Sequence, residues 1–303
     1  MQKMNKLVDD FLTHLMRVRK VSPLTVRNYR HYLERFLSWL AQITPKIENP
    51  AEINLQIIKQ YKLFLSQIID EHGIPLKHIT QNYHLIALRT WLRYLAIHHI
   101  KAFSASDIQL TPTKSEAFKT LNASQLTELF EQPDLNTVFG LRDRAILELL
   151  FSTGLRVAEL VGLNRQQINL KKNEISSAGK GGRVRTVYIT ETAGKWLSEY
   201  ISYRQDKYQP LFVRYSGKKV LKGQGEEGLR LTTRSIQRIV EKYVKKAHLL
   251  VKITPQGLRH SFAKHLLASG TKLEAAQEIL GHKNVSTTQM YSKNNGRTKI
   301  KKI

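Results

Sequence analysis

The 303-residue chain contains no cysteine. Disulfides, thiolate zinc sites, iron–sulfur clusters and a cysteine nucleophile are therefore excluded. Acidic residues are scarce: 24 Asp and Glu stand against 49 Lys and Arg. No apolar run approaches the roughly 18 residues of a membrane span. The first residues, MQKMNKLVDDFL, put two aspartates where a signal peptide needs an apolar core. These features predict a cytoplasmic protein that meets no membrane. There is no Walker A motif, no H-E-x-x-H and no dense carboxylate cluster, so neither a metal nor a cofactor is expected. One G-x-G-x-x-G match, Gly223 to Gly228, lacks the strand–turn–helix setting of a dinucleotide site. It carries Glu226 and Glu227 where phosphates would lie, and is expected to be a surface loop.

What the chain does have is positive charge, +25 in all, with 41% hydrophobic residues. That apolar fraction builds ordinary cores, so this is no disordered basic tail. So basic a chain repels itself and calls for a polyanion; phosphates of nucleic acid fit best. Residues 1–117 hold sixteen basic and nine acidic side chains; residues 118–303 hold thirty-three and fifteen. Both halves are basic, the second more so.

Apolar spacing predicts four helices in the first half. Their stripes run from Leu7 to Met16, Tyr29 to Leu40, Ile57 to Ile69 and Leu85 to Leu95. Ser22-Pro23 is an N-cap followed by proline at the first helical position. Residues 104–117 are polar, aperiodic and expected to be a linker. In the second half, residues 143–151 and 155–163 form helices around a Ser152-Thr153-Gly154 turn. That places Arg156 in a first helical turn and Glu159 one turn on. Residues 174–189 form a β-hairpin with Lys180 on its glycine-rich turn. Residues 192–203 form a helix, 211–231 are irregular, and 233–247 form a helix with one apolar and one basic face. Thr254-Pro255 starts another helix. Thr271 with Glu274, and Ser286 with Gln289, make capping boxes for two more.

Cleaving a phosphate ester without a metal needs fixed cations, a nucleophile and a proton donor for the leaving alkoxide. Arginine suits the clamp because its planar fork binds two phosphate oxygens. The second half offers Arg156 in TGLRVAEL, Lys180 in AGKGGR, Arg259 in PQGLRHSFA, His282 in LGHKNV and Tyr291 in TTQMYS. Taken singly, each has an ordinary reading: a surface ion pair, a solvated hairpin tip, a helix C-cap, a half-buried tyrosine.

Together, in this order and spacing, they resemble the tyrosine recombinase (phage integrase) family, and within it the Xer-type site-specific recombinases. The resemblance runs from about residue 5 to about residue 292, including VSPLTVRNYR in the first half. It implies a mainly α fold. A SAM-like core-binding bundle (1–103) is followed by a linker (104–117). A mostly helical catalytic domain with a small β-sheet (118–291) and a basic tail (292–303) complete it. The chain departs from the family at Gln256, where histidine usually stands three positions before the second arginine. Glutamine still donates a hydrogen bond but carries no charge. His260 lies about 100° round the helix from Arg259 and is not expected to substitute.

The resemblance implies the mechanism. Tyr291 attacks the scissile phosphate and forms a 3′-phosphotyrosyl bond, Arg156 and Arg259 clamp the non-bridging oxygens, and Lys180 protonates the departing 5′ oxygen. His282 donates to a phosphate oxygen, and Glu159 and Gln256 support. Rejoining then needs no ATP and no metal. Double-stranded DNA is the implied partner, bound as a homotetramer on paired sites, or as a heterotetramer with a second recombinase, with a DNA translocase as a further partner. Arg27, Arg30, Arg183, Arg234, Arg238 and Lys242 are expected to contact DNA. The first bundle helix starts within a few residues of the amino terminus. This favours Xer-like resolution of chromosome or plasmid multimers over a mobile-element integrase with an added arm-binding domain. A DNA-binding protein of this fold with weakened catalysis, and a type IB topoisomerase, are the other readings.

Overall fold

A computed structural model describes residues 2–44, 47–113, 118–179, 184–215 and 225–281. The chain divides into two compact units, Met1–Glu116 and Ala117–Ile303.

The first unit is a bundle of α1 (Gln2–Arg17), α2 (Pro23–Ile43), α3 (Leu55–Gln67) and α4 (His78–Ile97). The expected stripes supply its buried faces, with Phe11 and Leu15, Leu33 and Phe36, Ile58 and Tyr61, Leu88 and Trp91, but Met16, expected at the end of the first stripe, is exposed. Ser22 caps α2, its hydroxyl accepting from the Thr25 N–H, with Pro23 at the first turn. Phe36 meets Tyr61 edge-on at 4.9 Å between ring centres. α3 stops at Gln67, before the end of its apolar run, and Ile69 is left 64% exposed. A tight turn takes over there, with Gly73 at φ +73° and the Asp70 carboxylate accepting from the N–H groups of His72 and Ile74. The stretch 104–111, expected to be linker, packs on this bundle instead. Ile108 is fully buried in its core, and the Asn82 side-chain amide exchanges two hydrogen bonds with the Thr111 backbone. Isolated apolar residues in a polar stretch carry no period, so spacing could not show it.

The second unit is built around α6 (Val138–Thr153), which is buried on nearly every side. It is longer than expected, starting at Val138, where Thr137 caps it by accepting from the Gly140 N–H, and running through Ser152 and Thr153, expected to be a turn, to Gly154. Buried charges on α6 are satisfied. Arg142 forks onto Asp143, and the Tyr243 hydroxyl donates to the other Asp143 oxygen at 2.9 Å. Around α6 lie α5 (Ala123–Phe130), α8 (Glu191–Tyr203), α9 (Thr233–Lys246) and α10 (Pro255–Ala268). Two short helices, α7 (Val157–Val161) and α11 (Leu273–Leu280), complete the set among the described residues. α9 buries Ile236, Ile239, Val240, Tyr243 and Val244, the face its spacing predicted. The hairpin is β2 (Glu174–Ala178) and β3 (Val184–Tyr188), antiparallel with Ile175 opposite Val187. A two-residue strand, β1 (Ile168–Asn169), extends it to order β1-β2-β3.

The expected capping box at Thr271 does not form: α11 has Lys272 at its N-cap, with no side-chain bond. The Thr271 N–H instead bonds Leu266 O, and Gly270 (φ +86°) bonds Leu267 O, so this backbone closes α10 in a Schellman turn. The acidic pair of the glycine loop is also engaged. Glu226 accepts from Gln209 N–H, and Glu227 forks Arg230, which also donates to Val161 O and Leu163 O. No described helix is long and apolar enough to cross a membrane.

Candidate active site

α6 ends at Gly154, whose φ of +57° is left-handed; a Cβ there would lie 2.6 Å from the Phe262 ring. Two residues on, Arg156 is the N-cap of α7 rather than a residue inside its first turn, since α7 starts at Val157. Glu159, three positions along, holds it twice. One carboxylate oxygen accepts from the Arg156 N–H and the other from its Nη1, each at 2.9 Å. Arg156 Nη2 donates to Gly281 O at 3.1 Å. The Arg156 side chain is 40% exposed and that of Glu159 only 6%. The carboxylate is a buried anchor and the guanidinium faces out.

Arg259 is the opposite case, 1% exposed. It sits in α10, which Thr254 caps by accepting from Gly257 N–H. Its fork donates to Gly154 O and to Leu280 O. Both acceptors are carbonyls at helix C-termini, which lack intrahelical partners and carry the negative end of the helix dipole. One buried arginine thus ties the end of α6, just before Arg156, to the end of α11, just before Gly281. Gln256 is exposed in the first turn of α10. His260 stacks on Phe118 at 4.0 Å between ring centres. Burial, with the Arg259 charge beside it, pushes its pKa down to about 4, so it stays neutral at physiological pH.

A further arginine joins this group, unforeseen from the sequence. Arg185 Nη2 lies 3.4 Å from the same Glu159 oxygen that holds the Arg156 N–H. Its guanidinium packs against Gly281, where a Cβ would stand 1.6 Å from Nη1 and where φ is +63°. Burial lowers the Arg185 pKa, with Glu159 opposing the shift. The signal was in the strand alternation: Arg185 has the parity of Val187 and Ile189, both buried. A basic residue at an inward position needs a partner. Lys180, Arg183, His282, Tyr291 and the expected Ser286–Gln289 cap lie outside the described residues. Among the described residues, no three His, Cys, Asp or Glu are grouped to hold a metal.

The expected DNA contacts differ in availability. Arg27 on α2 and Arg234 and Arg238 on α9 are exposed. Arg30 is paired with Asp9 at 2.8 Å and Glu34 at 3.5 Å. Lys242 lies over the Tyr243 ring, 4.6 Å from its centre.

The chain matches the phage integrase family over residues 119–297, and the phage integrase N-terminal SAM-like domain over residues 8–99. It belongs to the phage integrase family of tyrosine recombinases. Its curated relatives include tyrosine recombinase XerD of Listeria monocytogenes, 33% identical, with 95% of this chain and 94% of that protein covered. Tyrosine recombinase XerC of Pelobacter propionicus is 32% identical, with 96% and 92% covered. In fold, the chain is similar to XerH site-specific recombinase in a post-cleavage complex with difH substrate, at TM-score 0.68 and 22% identity. That similarity covers 92% of this chain and 78% of that one. It is equally similar to the Tn1549 transposon integrase in complex with transposon right end DNA, at TM-score 0.68 and 20% identity, with 94% of each covered. A family of enzymes that cut and rejoin DNA explains a platform that gathers Arg156, Arg185, Arg259 and one buried carboxylate at two glycine-ended helices.

Proposed function

We propose that the protein is a Xer-like recombinase that acts in the cytoplasm on duplex DNA, resolving chromosome or plasmid multimers, with Tyr291 as nucleophile. The observation that carries the reading is the Arg259 fork, which joins the two helix ends that precede Arg156 and His282. Two sequence-distant motifs thereby become one site. Tyrosine has a reference pKa of about 10, so Tyr291 gives up its proton as it attacks. The exposed Arg156 guanidinium binds the non-bridging oxygens, and Arg259 adds positive charge from beneath, felt strongly because it is desolvated. Lys180 donates the proton that the departing 5′ oxygen needs, and His282 hydrogen-bonds the phosphate. The phosphotyrosyl bond keeps the energy of the cut strand, so a partner strand's 5′-hydroxyl reseals it in a transesterification. Strand exchange between two duplexes requires four such subunits, alike or paired with a second recombinase. A translocase is a further partner for this role. Residues 1–111 serve as the core-binding unit and residues 118–291 as the catalytic one. Both contact DNA, through Arg27 in the first and Arg183, Arg234 and Arg238 in the second.

The test is a suicide duplex nicked beside the scissile phosphate. The wild-type chain should trap a covalent protein–DNA adduct, and Tyr291→Phe should bind the duplex equally well and trap none. Absence of a wild-type adduct on any fragment of the source genome would overturn the enzymatic reading. Relaxation of supercoiled plasmid with no site requirement would favour a topoisomerase instead.

A further inference from the structure

Glu159 poses a problem for a phosphate clamp. Both of its oxygens are turned to Arg156, one to the guanidinium and one to the main-chain N–H. A buried carboxylate in that contact orients the guanidinium but also cancels its single charge. The pair alone would offer the phosphate a dipole and no net charge. That is weak support for a centre that gains negative charge on the way to its transition state.

Arg185 changes that balance. It approaches the same carboxylate from β3, whose ladder fixes it opposite Ser177. Its side chain is 21% exposed, between the buried Glu159 and the open Arg156. Two guanidiniums now share one carboxylate, for a local charge of +1, and the more exposed of the two is Arg156. The space for Arg185 exists because residue 281 has no side chain; any Cβ there would overlap Nη1. Strand parity, shared carboxylate and the glycine opposite all converge on one guanidinium.

We propose that Arg185 is a positioning residue of the active site that takes up the charge of Glu159, so that Arg156 is held by that carboxylate without being neutralised by it. The proposal rests on the assignment of Arg156 to the scissile phosphate. It makes a sign-specific claim that a simple packing role does not: once Arg185 is gone, the Glu159 charge becomes harmful.

Single-turnover adduct formation on the nicked duplex, at saturating protein, reads this. Arg185→Ala should slow it roughly tenfold or more with DNA affinity little changed, less than the roughly 100- to 1000-fold of losing a donor that touches the charge itself, because Arg185 acts through Arg156. Arg185→Lys, which keeps the charge, should recover most of the rate. The deciding variant adds Glu159→Gln to Arg185→Ala: the double variant should cleave faster than Arg185→Ala alone. A second measurement needs no cleavage. In a Tyr291→Phe background, the preference for a phosphate over a neutral methylphosphonate at the scissile position should fall with Arg185→Ala and return when Glu159→Gln is added. If Glu159→Gln leaves the Arg185→Ala variant unchanged or worse in both readouts, Arg185 is a packing residue and the proposal is wrong. A missing wild-type adduct, or an Arg156→Ala variant as fast as wild type, would instead break the Arg156 assignment. The phosphate preference would still report the charge balance at Glu159.

Discussion

At the scale of single residues, exposure separates roles that the sequence left alike. Arg156 and Arg259 are both arginines in short motifs, yet one faces solvent and the other is buried under two helix ends. Gln256 is exposed on the first turn of the helix that carries Arg259. Replacing it with the family's usual histidine should therefore fit without repacking. Gln256→His should raise single-turnover cleavage several-fold, less than the roughly 100-fold or more of a full acid–base group, because glutamine already donates a hydrogen bond; a rate equal to wild type would show that this position no longer touches the phosphate. Gly281 must be glycine for two reasons, its positive φ and the Arg185 guanidinium beside it. Gly281→Ala should lower cleavage more than thermal stability, because the displaced group belongs to the site. His260 supplies a pH signature. Its folded pKa, about 4, lies below the reference value near 6.5, so the folded state holds it neutral while the unfolded chain protonates first. The stability this gives is fully present above about pH 6.5 and is lost as pH falls toward 4, by roughly 3 kcal/mol at most. The fall in Tm over that window should flatten in His260→Phe, which keeps a ring against Phe118.

At the scale of elements, helix termini organise the site. α6 and α11 end at left-handed glycines, and α10 is capped by Thr254, so each of these helices has a defined stop or start. Thr254→Ala should cost about 1 kcal/mol of stability, as loss of an N-cap does, and denaturant unfolding measures it. The caps at Ser22 and Thr254 were legible because the proline that follows each is a strong local signal. Thr271 carried only the capping-box spacing to Glu274, with no proline after it, and does not cap α11 because its N–H is committed to closing the preceding helix. α5 and β1 were not legible: eight residues and two residues are too few to show a period. The same holds for 104–111, whose place on the first unit depends on Ile108 finding a pocket far away in sequence.

At the scale of the whole molecule, the excess of cations should make DNA binding strongly salt-dependent, since each phosphate neutralised releases counterions. Removing one true backbone contact lowers the slope of log affinity against log salt by about 1. Arg238→Gln and Arg27→Gln should each do so. Arg30→Gln should change the slope less, because Asp9 and Glu34 already hold that guanidinium. Equal effects of Arg27 and Arg30 would mean that DNA breaks the ion pairs.

By itself the amino-acid sequence determined the class of partner, the helical character of both units, the buried face of α9, and the motif order that places the chain in its family. These are properties of composition and of periods of a few residues, and they survive without knowing where the chain goes next. Only the tertiary structure decided that Arg259 is buried and fastens two helix ends, that Arg156 caps α7, that Thr271 belongs to the turn before it, and that Arg185 shares Glu159. Each of these depends on groups separated by 21 to 105 positions along the chain, or on which of two competing local bonds a backbone makes. Such choices are settled by burial and by the need to pair every buried charge, and neither can be counted until the chain has folded.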